Sequence, residues 1–149
     1  MSTPLVISLP QGVRDILPEE SGRITAVESA ILSVFARFGY KKIITPLLEY
    51  VDSLALGMGG DLNERVMKFI DPSTGKVVAI RPDITPQIAR IVATKMKDEP
   101  LPLKLCYNEN VLRRVDRRGG GCSEVLQIGA ELITKKPGAE ADAEMIIMA

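Results

Sequence analysis

The stretch from Val66 to Ile80 restricts the fold more than any other part of the chain. Two short apolar runs, Val66–Ile70 and Lys76–Ile80, flank Asp71-Pro72-Ser73-Thr74-Gly75. Proline presets φ, glycine supplies a positive φ, and an aspartate side chain bonds its own backbone two residues on, so this order encodes a tight turn between antiparallel strands. A hairpin here is incompatible with a strictly alternating parallel fold. The neighbouring segments agree. A long amphipathic helix is expected from about Glu19 to Phe38. Ile24, Val27, Ile31, Val34, Phe35 and Phe38 form its apolar stripe and Gly39 its C-cap. Thr85-Pro86 starts a second helix, with Thr85 reading as N-cap and Pro86 as N1. Ile88, Ile91, Val92 and Met96 supply its apolar face, and Pro100 and Pro102 end it.

The remaining elements complete an α+β outline: a mainly antiparallel sheet flanked by helices, packed on one face. Lys41–Thr45 reads as a short strand closed by Pro46, Glu49–Leu56 as a short helix, and Gly57–Gly60 as a loop. Leu103–Tyr107, Asn110–Val115 and Ser123–Thr134 read as strands, the last two flanking an Arg- and Gly-rich loop, Asp116–Cys122. A final helix begins near Ala139 and is still running at Ala149, so the chain reads as cut within a domain. Residues 1–10 form a flexible lead-in and residues 11–149 one incomplete core domain.

Composition removes several chemistries. The chain has no histidine, which excludes His–Cys zinc sites, Ser–His triads and histidine bases. Its 19 basic and 19 acidic residues balance, so any polyanion site has to be local. Cys106 and Cys122 lack metal spacing, and nothing points to a secreted protein with a disulfide. No signal peptide, membrane span, P-loop, dinucleotide fingerprint or EF-hand loop is present. The expected compartment is the cytoplasm, with no metal and no cofactor.

Three segments carry candidate chemistry. Arg113-Arg114-Val115-Asp116-Arg117-Arg118 stands beside Gly119–Gly121, a composition suited to phosphate or carboxylate oxygens, or else to a solvated hairpin loop. Arg113 is expected inside the strand, where it would need a ligand or a buried carboxylate. In Arg81-Pro82-Asp83-Ile84-Thr85 a strand end, a turn and a helix start coincide. Arg81, Asp83 and Thr85 are expected to project towards one mouth, with Asp83 holding an ammonium group or only shaping a turn, and Thr85 reaching a ligand or only capping its helix. In Gln127-Ile128-Gly129-Ala130-Glu131, alternation places Gln127, Gly129 and Glu131 on one strand face. That face floors a small polar pocket or is simply half-exposed.

Taken in order, these segments resemble the class II aminoacyl-tRNA synthetase core, within it the histidyl branch. Ile44-Thr45-Pro46 after a long helix is similar to that class's first motif, which implies that Pro46 lies at a dimer interface. Arg81–Thr85 resembles the histidyl Arg-Pro-Glu-Gly-Thr segment that contacts the amino acid. Val111-Leu112-Arg113, the loop and Ser123–Glu131 resemble the second motif, a strand with an ATP-phosphate arginine and a return strand reading Gln-Ile-Gly-x-Glu. Asp142-Ala143-Glu144 matches a further stretch of the family. The resemblance covers almost all of the chain from Gln11. It implies an amino-acid pocket of the histidine type built from Asp83, Thr85, Arg113, Gln127 and Glu131.

The departures point away from aminoacylation. The position of the adenine-reading glutamate is Val115, which accepts no hydrogen bond, so Arg113 and Val115 are expected to mark a vestigial nucleotide site. Asp83 is a methylene shorter than the family's glutamate, and Ile84 replaces a glycine. Thr85-Pro86-Gln87-Ile88-Ala89-Arg90 and Leu105-Cys106-Tyr107 resemble instead the regulatory subunits of ATP phosphoribosyltransferase, a paralog family without aminoacylation. That resemblance implies no catalytic residue, a catalytic subunit as partner, a homodimer, and histidine as ligand in feedback control of histidine biosynthesis. A fragment of a histidyl-tRNA synthetase is the alternative. A tRNA-binding or amino-acid-binding module resting on the Arg113–Arg118 cluster is a third reading. tRNA binding is not expected of the leading one.

Overall fold

The computed structural model describes residues 8–10, 12–58, 66–113 and 124–148. The first helix, α1, runs Pro18–Arg37. Pro18 opens it, Glu19 and Glu20 lie at its positive end and Arg37 at its negative end. Gly39, with φ +84°, donates to the Ala36 carbonyl at 3.0 Å, and Tyr40 donates to that of Phe35 at 2.9 Å. This paired closure of the last carbonyls is a Schellman cap and needs the left-handed glycine.

Two three-stranded sheets follow. In the first, β1 (Lys41–Lys42) pairs in parallel with β5 (Leu103–Leu112), which pairs antiparallel with β6 (Glu124–Ile133). In the second, β2 (Leu48–Tyr50) and β3 (Lys68–Ile70) flank β4 (Val77–Ile80), all antiparallel. The expected hairpin is therefore present as β3–β4. Asp71 accepts from the Ser73 amide at 2.9 Å and from the Thr74 hydroxyl at 2.7 Å, and Gly75 adopts φ +70°. The other helices are α2 (Val51–Met58), α3 (Thr85–Lys95) and α4 (Ala139–Met148).

Several expectations need correction. Leu103–Tyr107 and Asn110–Val115 are not two strands. Pairing with β6 is unbroken from Leu103↔Ile133 to Leu112↔Glu124, because the polar interruption Asn108-Glu109-Asn110 finds partners along the way. Arg113 lies just past the end of β5 rather than inside it. Leu48–Tyr50 is a strand, since β4 offers it an edge, and the helix expected from Glu49 begins at Val51. That helix continues through Gly57 and Met58, which had read as loop, because Leu54 is anchored against Val66 and Ala79. The strand expected over Lys41–Thr45 is short, with only Ile43 extending the β1 pairing by a bond to the Cys106 carbonyl at 2.9 Å. Most of the lead-in, the remainder of the Gly57–Gly60 segment, and the Arg–Gly loop with Val115 and Cys122 lie outside the described residues.

Helices cover both faces of the first sheet, not one. Ile84 and Ile88 pack on Leu105, Tyr107 and Val111. On the opposite face, Phe35, Tyr40, Cys106 and Met148 cluster with Ile128 and Ala130. Alternation along β5 separates Tyr107 from Cys106 in this way. The α1 stripe is covered only in part: Phe35 is buried, but Val27 remains 58% exposed. None of the described helices is long and apolar enough to cross a membrane.

Candidate ligand site at the start of α3

The connection from β4 to α3 carries the site. Its outer wall is Asp83 and Thr85. Its floor is the face of β6 bearing Gln127, Gly129 and Glu131. Gln127 Nε2 donates to Asp83 Oδ1 at 2.9 Å, and Thr85 Oγ1 donates to Glu131 Oε1 at 2.6 Å. These two bonds bring together four residues far apart in sequence. The fifth, Arg113, is exposed at the side and donates from Nε to the Pro82 carbonyl at 3.1 Å. The helix start differs from the expected one. Ile84 is the cap residue, and Thr85 is already helical with its hydroxyl on Glu131. The Ile84 amide is taken by Asp83 Oδ1 at 2.8 Å. Asp83 Oδ1 thus closes the turn and holds Gln127 at once.

Tyr107, which the sequence marks only through the Leu105-Cys106-Tyr107 resemblance and not as a site residue, sits beside Gln127 and Gly129. It pairs with Gly129 across the β5–β6 ladder, and its ring lies over that glycine. A Cβ placed on Gly129 would fall 2.5 Å from the Tyr107 hydroxyl oxygen. Gly129 is therefore the position that admits the ring. Burial pushes the Tyr107 phenol above its ordinary value. Glu131 and Asp83 reinforce that, against the neighbouring Thr85 hydroxyl and the charge of Arg113. The signal for Tyr107 was the glycine itself, since a glycine within a strand marks a close approach by something else.

The acceptor inventory decides what such a site takes. Asp83 and Glu131 present carboxylates, and Gln127 Oε1 is buried and accepts no hydrogen bond among the described residues. A buried acceptor without a donor is costly, so a ligand bringing N–H groups gains here. An ammonium group or a ring N–H fits that chemistry, and Arg113 provides a cation beside it for a carboxylate.

Arg81, by contrast, does not face the mouth. It is 3% exposed and points into the interior. Its Nε donates to the Asn110 carbonyl at 2.8 Å, Nη1 to the Thr45 carbonyl at 2.8 Å and its hydroxyl at 2.9 Å, and Nη2 to Glu109 at 2.8 Å. The Thr45 hydroxyl donates onward to Gln87 Oε1 at 2.8 Å, and Gln87 Nε2 donates to the Pro46 carbonyl and to Glu49. Arg90 Nε lies 2.7 Å from Glu49 Oε1. Pro46 lies in the connection between β1 and β2, where Ile44, Leu47 and the first β2 residue, Leu48, are exposed. Val115 lies outside the described residues.

The sequence profile of the histidyl-tRNA synthetase family matches residues 12–149. The chain is 47% identical over 147 residues to the ATP phosphoribosyltransferase regulatory subunit of Geobacter sulfurreducens, covering 99% of this chain and 33% of that protein. It is 50% identical over 146 residues to the protein of the same name from Geobacter metallireducens, covering 98% and 33%. The chain thus spans about a third of the length of these curated relatives. Among solved structures, an ATP phosphoribosyltransferase regulatory subunit/histidyl-tRNA synthetase from Bacillus halodurans superposes with TM-score 0.85 at 34% identity, covering 99% of this chain and 37% of that one. The apo histidyl-tRNA synthetase of S. aureus superposes with TM-score 0.79 at 28% identity, covering 96% and 33%.

Proposed function

Because this chain belongs to the histidyl-tRNA synthetase family, we propose that it serves as part of a regulatory subunit of ATP phosphoribosyltransferase rather than of a tRNA ligase. The observation that carries this reading is the contrast in identity. Relatives named as that regulatory subunit share 47% and 50% of residues over nearly the whole chain, against 28% for the solved S. aureus synthetase. Val115, at the position where the synthetase family reads adenine, supports the same choice.

On this reading the protein performs no chemistry of its own. It binds the catalytic subunit of ATP phosphoribosyltransferase and carries histidine as a feedback ligand. Asp83, Gln127 and Glu131 face the donors of that ligand, Thr85 holds Glu131 in place, and Arg113 attends its carboxylate or a phosphate. Arg113 and Val115 are what remains of a nucleotide site. The exposed turn around Pro46 forms the contact of a homodimer, and the reading places the protein in the cytoplasm.

The test mixes the full-length protein with a short-form catalytic subunit and follows phosphoribosyl transfer to ATP. A rise in rate that added histidine then suppresses is the expected result. No rise, together with histidine-dependent pyrophosphate exchange by the protein alone, would overturn the reading in favour of a synthetase.

A further inference from the structure

We propose that Arg81 is the positioning residue of the ligand pocket: it fixes the rotation and register of the α3 start, and through it Asp83, against β5 and β6. This inference rests on the reading that the pocket binds histidine.

The geometry is unusually convergent on this residue. Its backbone amide donates to the Leu47 carbonyl at 3.0 Å, and its carbonyl accepts from the Leu112 amide at 3.0 Å. Its guanidinium reaches Asn110, Thr45 and Glu109. Glu109 is the residue paired with Gln127 across the β5–β6 ladder. Arg81 is therefore bonded to the strand position opposite the pocket's amide, while Asp83, two residues along, is bonded to that amide directly. The next carbonyl, that of Pro82, is held by Arg113. Arg81 and Pro82 are thus tied to the end of β5, and Asp83 to β6, before the helix begins.

Apolar packing alone does not set this placement. Ile84 and Ile88 hold α3 against Leu105, Tyr107 and Val111, but hydrophobic contact is non-directional and tolerates sliding and rotation. A planar guanidinium with several fixed acceptors is directional. Gln87 extends the same control to the first turn of α3, because Thr45 binds both it and Arg81. Lysine keeps the charge but offers its donors from one nitrogen, so it cannot span Asn110, Thr45 and Glu109 together.

The experiment compares the full-length wild type with Arg81→Lys, measuring histidine affinity by calorimetry and amide hydrogen exchange by mass spectrometry. The expected result is a loss of histidine affinity of about tenfold, the scale that a small misplacement of a binding group produces. Exchange should accelerate by a similar factor over residues 84–88 and stay unchanged over α1 and α4. Unchanged exchange over 84–88, acceleration spread evenly over the whole domain, or unchanged affinity despite faster local exchange would each overturn the proposal. If Arg81→Lys fails to fold, Thr45→Val, which removes the hydroxyl that Arg81 and Gln87 share, and Glu109→Gln, which keeps an acceptor but removes the countercharge, are judged by the same two readouts. If the wild type itself binds no histidine, the functional reading falls, and the exchange pattern alone still decides whether Arg81 positions α3.

Discussion

Arg81 and Asp83 stand two residues apart on one connection, yet they belong to opposite kinds of polar cluster. Around Arg81 the buried guanidinium makes four hydrogen bonds, and its neighbours Thr45 and Gln87 are buried and bonded in turn. Around Asp83 the polar residues Thr85, Arg113, Gln127 and Glu131 are half-buried or exposed, and Gln127 Oε1 is buried without a donor among the described residues. Burial explains the difference. A charge removed from water has to be matched completely, so a buried cluster tends towards closure and becomes architecture. A cluster at the solvent boundary tolerates unused acceptors and can be completed by a ligand. The sequence Arg-Pro-Asp-Ile-Thr thus contributes to both, and the proline turn separates them.

The largest expected effect sharpens this contrast. Arg81→Met leaves Glu109, the buried Thr45 carbonyl and the Asn110 carbonyl without their donor, so it should destabilise the full-length protein by about 3–5 kcal/mol, as breaking a buried ion pair does. Asp83→Asn keeps a side chain of similar size at the boundary and should cost less than about 1 kcal/mol, while abolishing most histidine affinity. Urea denaturation and calorimetry on both variants measure the two halves. Similar stability losses for the pair would mean that the division between architecture and binding surface is wrong.

An intermediate effect is expected at Gly129. The Gly129→Ala change drives a methyl into the Tyr107 ring, with the hydroxyl oxygen at 2.5 Å and the ring carbon that bears it at 2.6 Å. Overpacking of this kind costs about 1–3 kcal/mol. Tyr107 would be forced away from Gln127, so ligand affinity falls with stability. The double variant with Tyr107→Ala removes the clash and should cost less than the sum of the single changes. Strictly additive losses would show that ring and glycine do not constrain each other.

Much of this was legible in the chain itself. The β3–β4 hairpin follows from Asp71–Gly75, where turn chemistry is local and needs no distant partner. Gln127, Gly129 and Glu131 fall on one face by simple alternation. Their meeting with Asp83 and Thr85 came only with the family resemblance, because pairing across the fold leaves no local mark. Arg81 was misplaced for the same reason. A lone arginine at a strand end reads as a mouth residue until Thr45, Glu109 and Asn110 are seen around it. The unity of β5 was hidden too, since Asn108-Glu109-Asn110 lacks strand propensity and is held in line by the ladder and by Arg81. Thr85 read as a cap because its type favours one, and a carboxylate on another strand took its hydroxyl instead.

The smallest effect comes from a third cluster on the opposite side of the first sheet, and it works as a control. Lys104 Nζ lies 2.7 Å from Glu144, which also accepts from the Tyr40 hydroxyl at 2.9 Å. Those contacts, from Lys104 first and Tyr40 second, hold the Glu144 carboxyl below its ordinary value of 4.5. A lowered carboxyl value means that the contribution to stability is complete above 4.5 and fades as pH falls through the folded-state value. The Tyr40 phenol is raised, chiefly by burial and then by Glu144, so its contribution holds below the ordinary value of 10.0 and is lost as pH rises beyond it. Glu144→Gln should therefore flatten the acid limb of a stability-against-pH curve. It should leave histidine affinity at neutral pH unchanged, because neither Asp83 nor Gln127 touches this face. A change in affinity would show that the two faces of the sheet communicate, and the separation between the closed and the open cluster would then have to be redrawn across the whole domain.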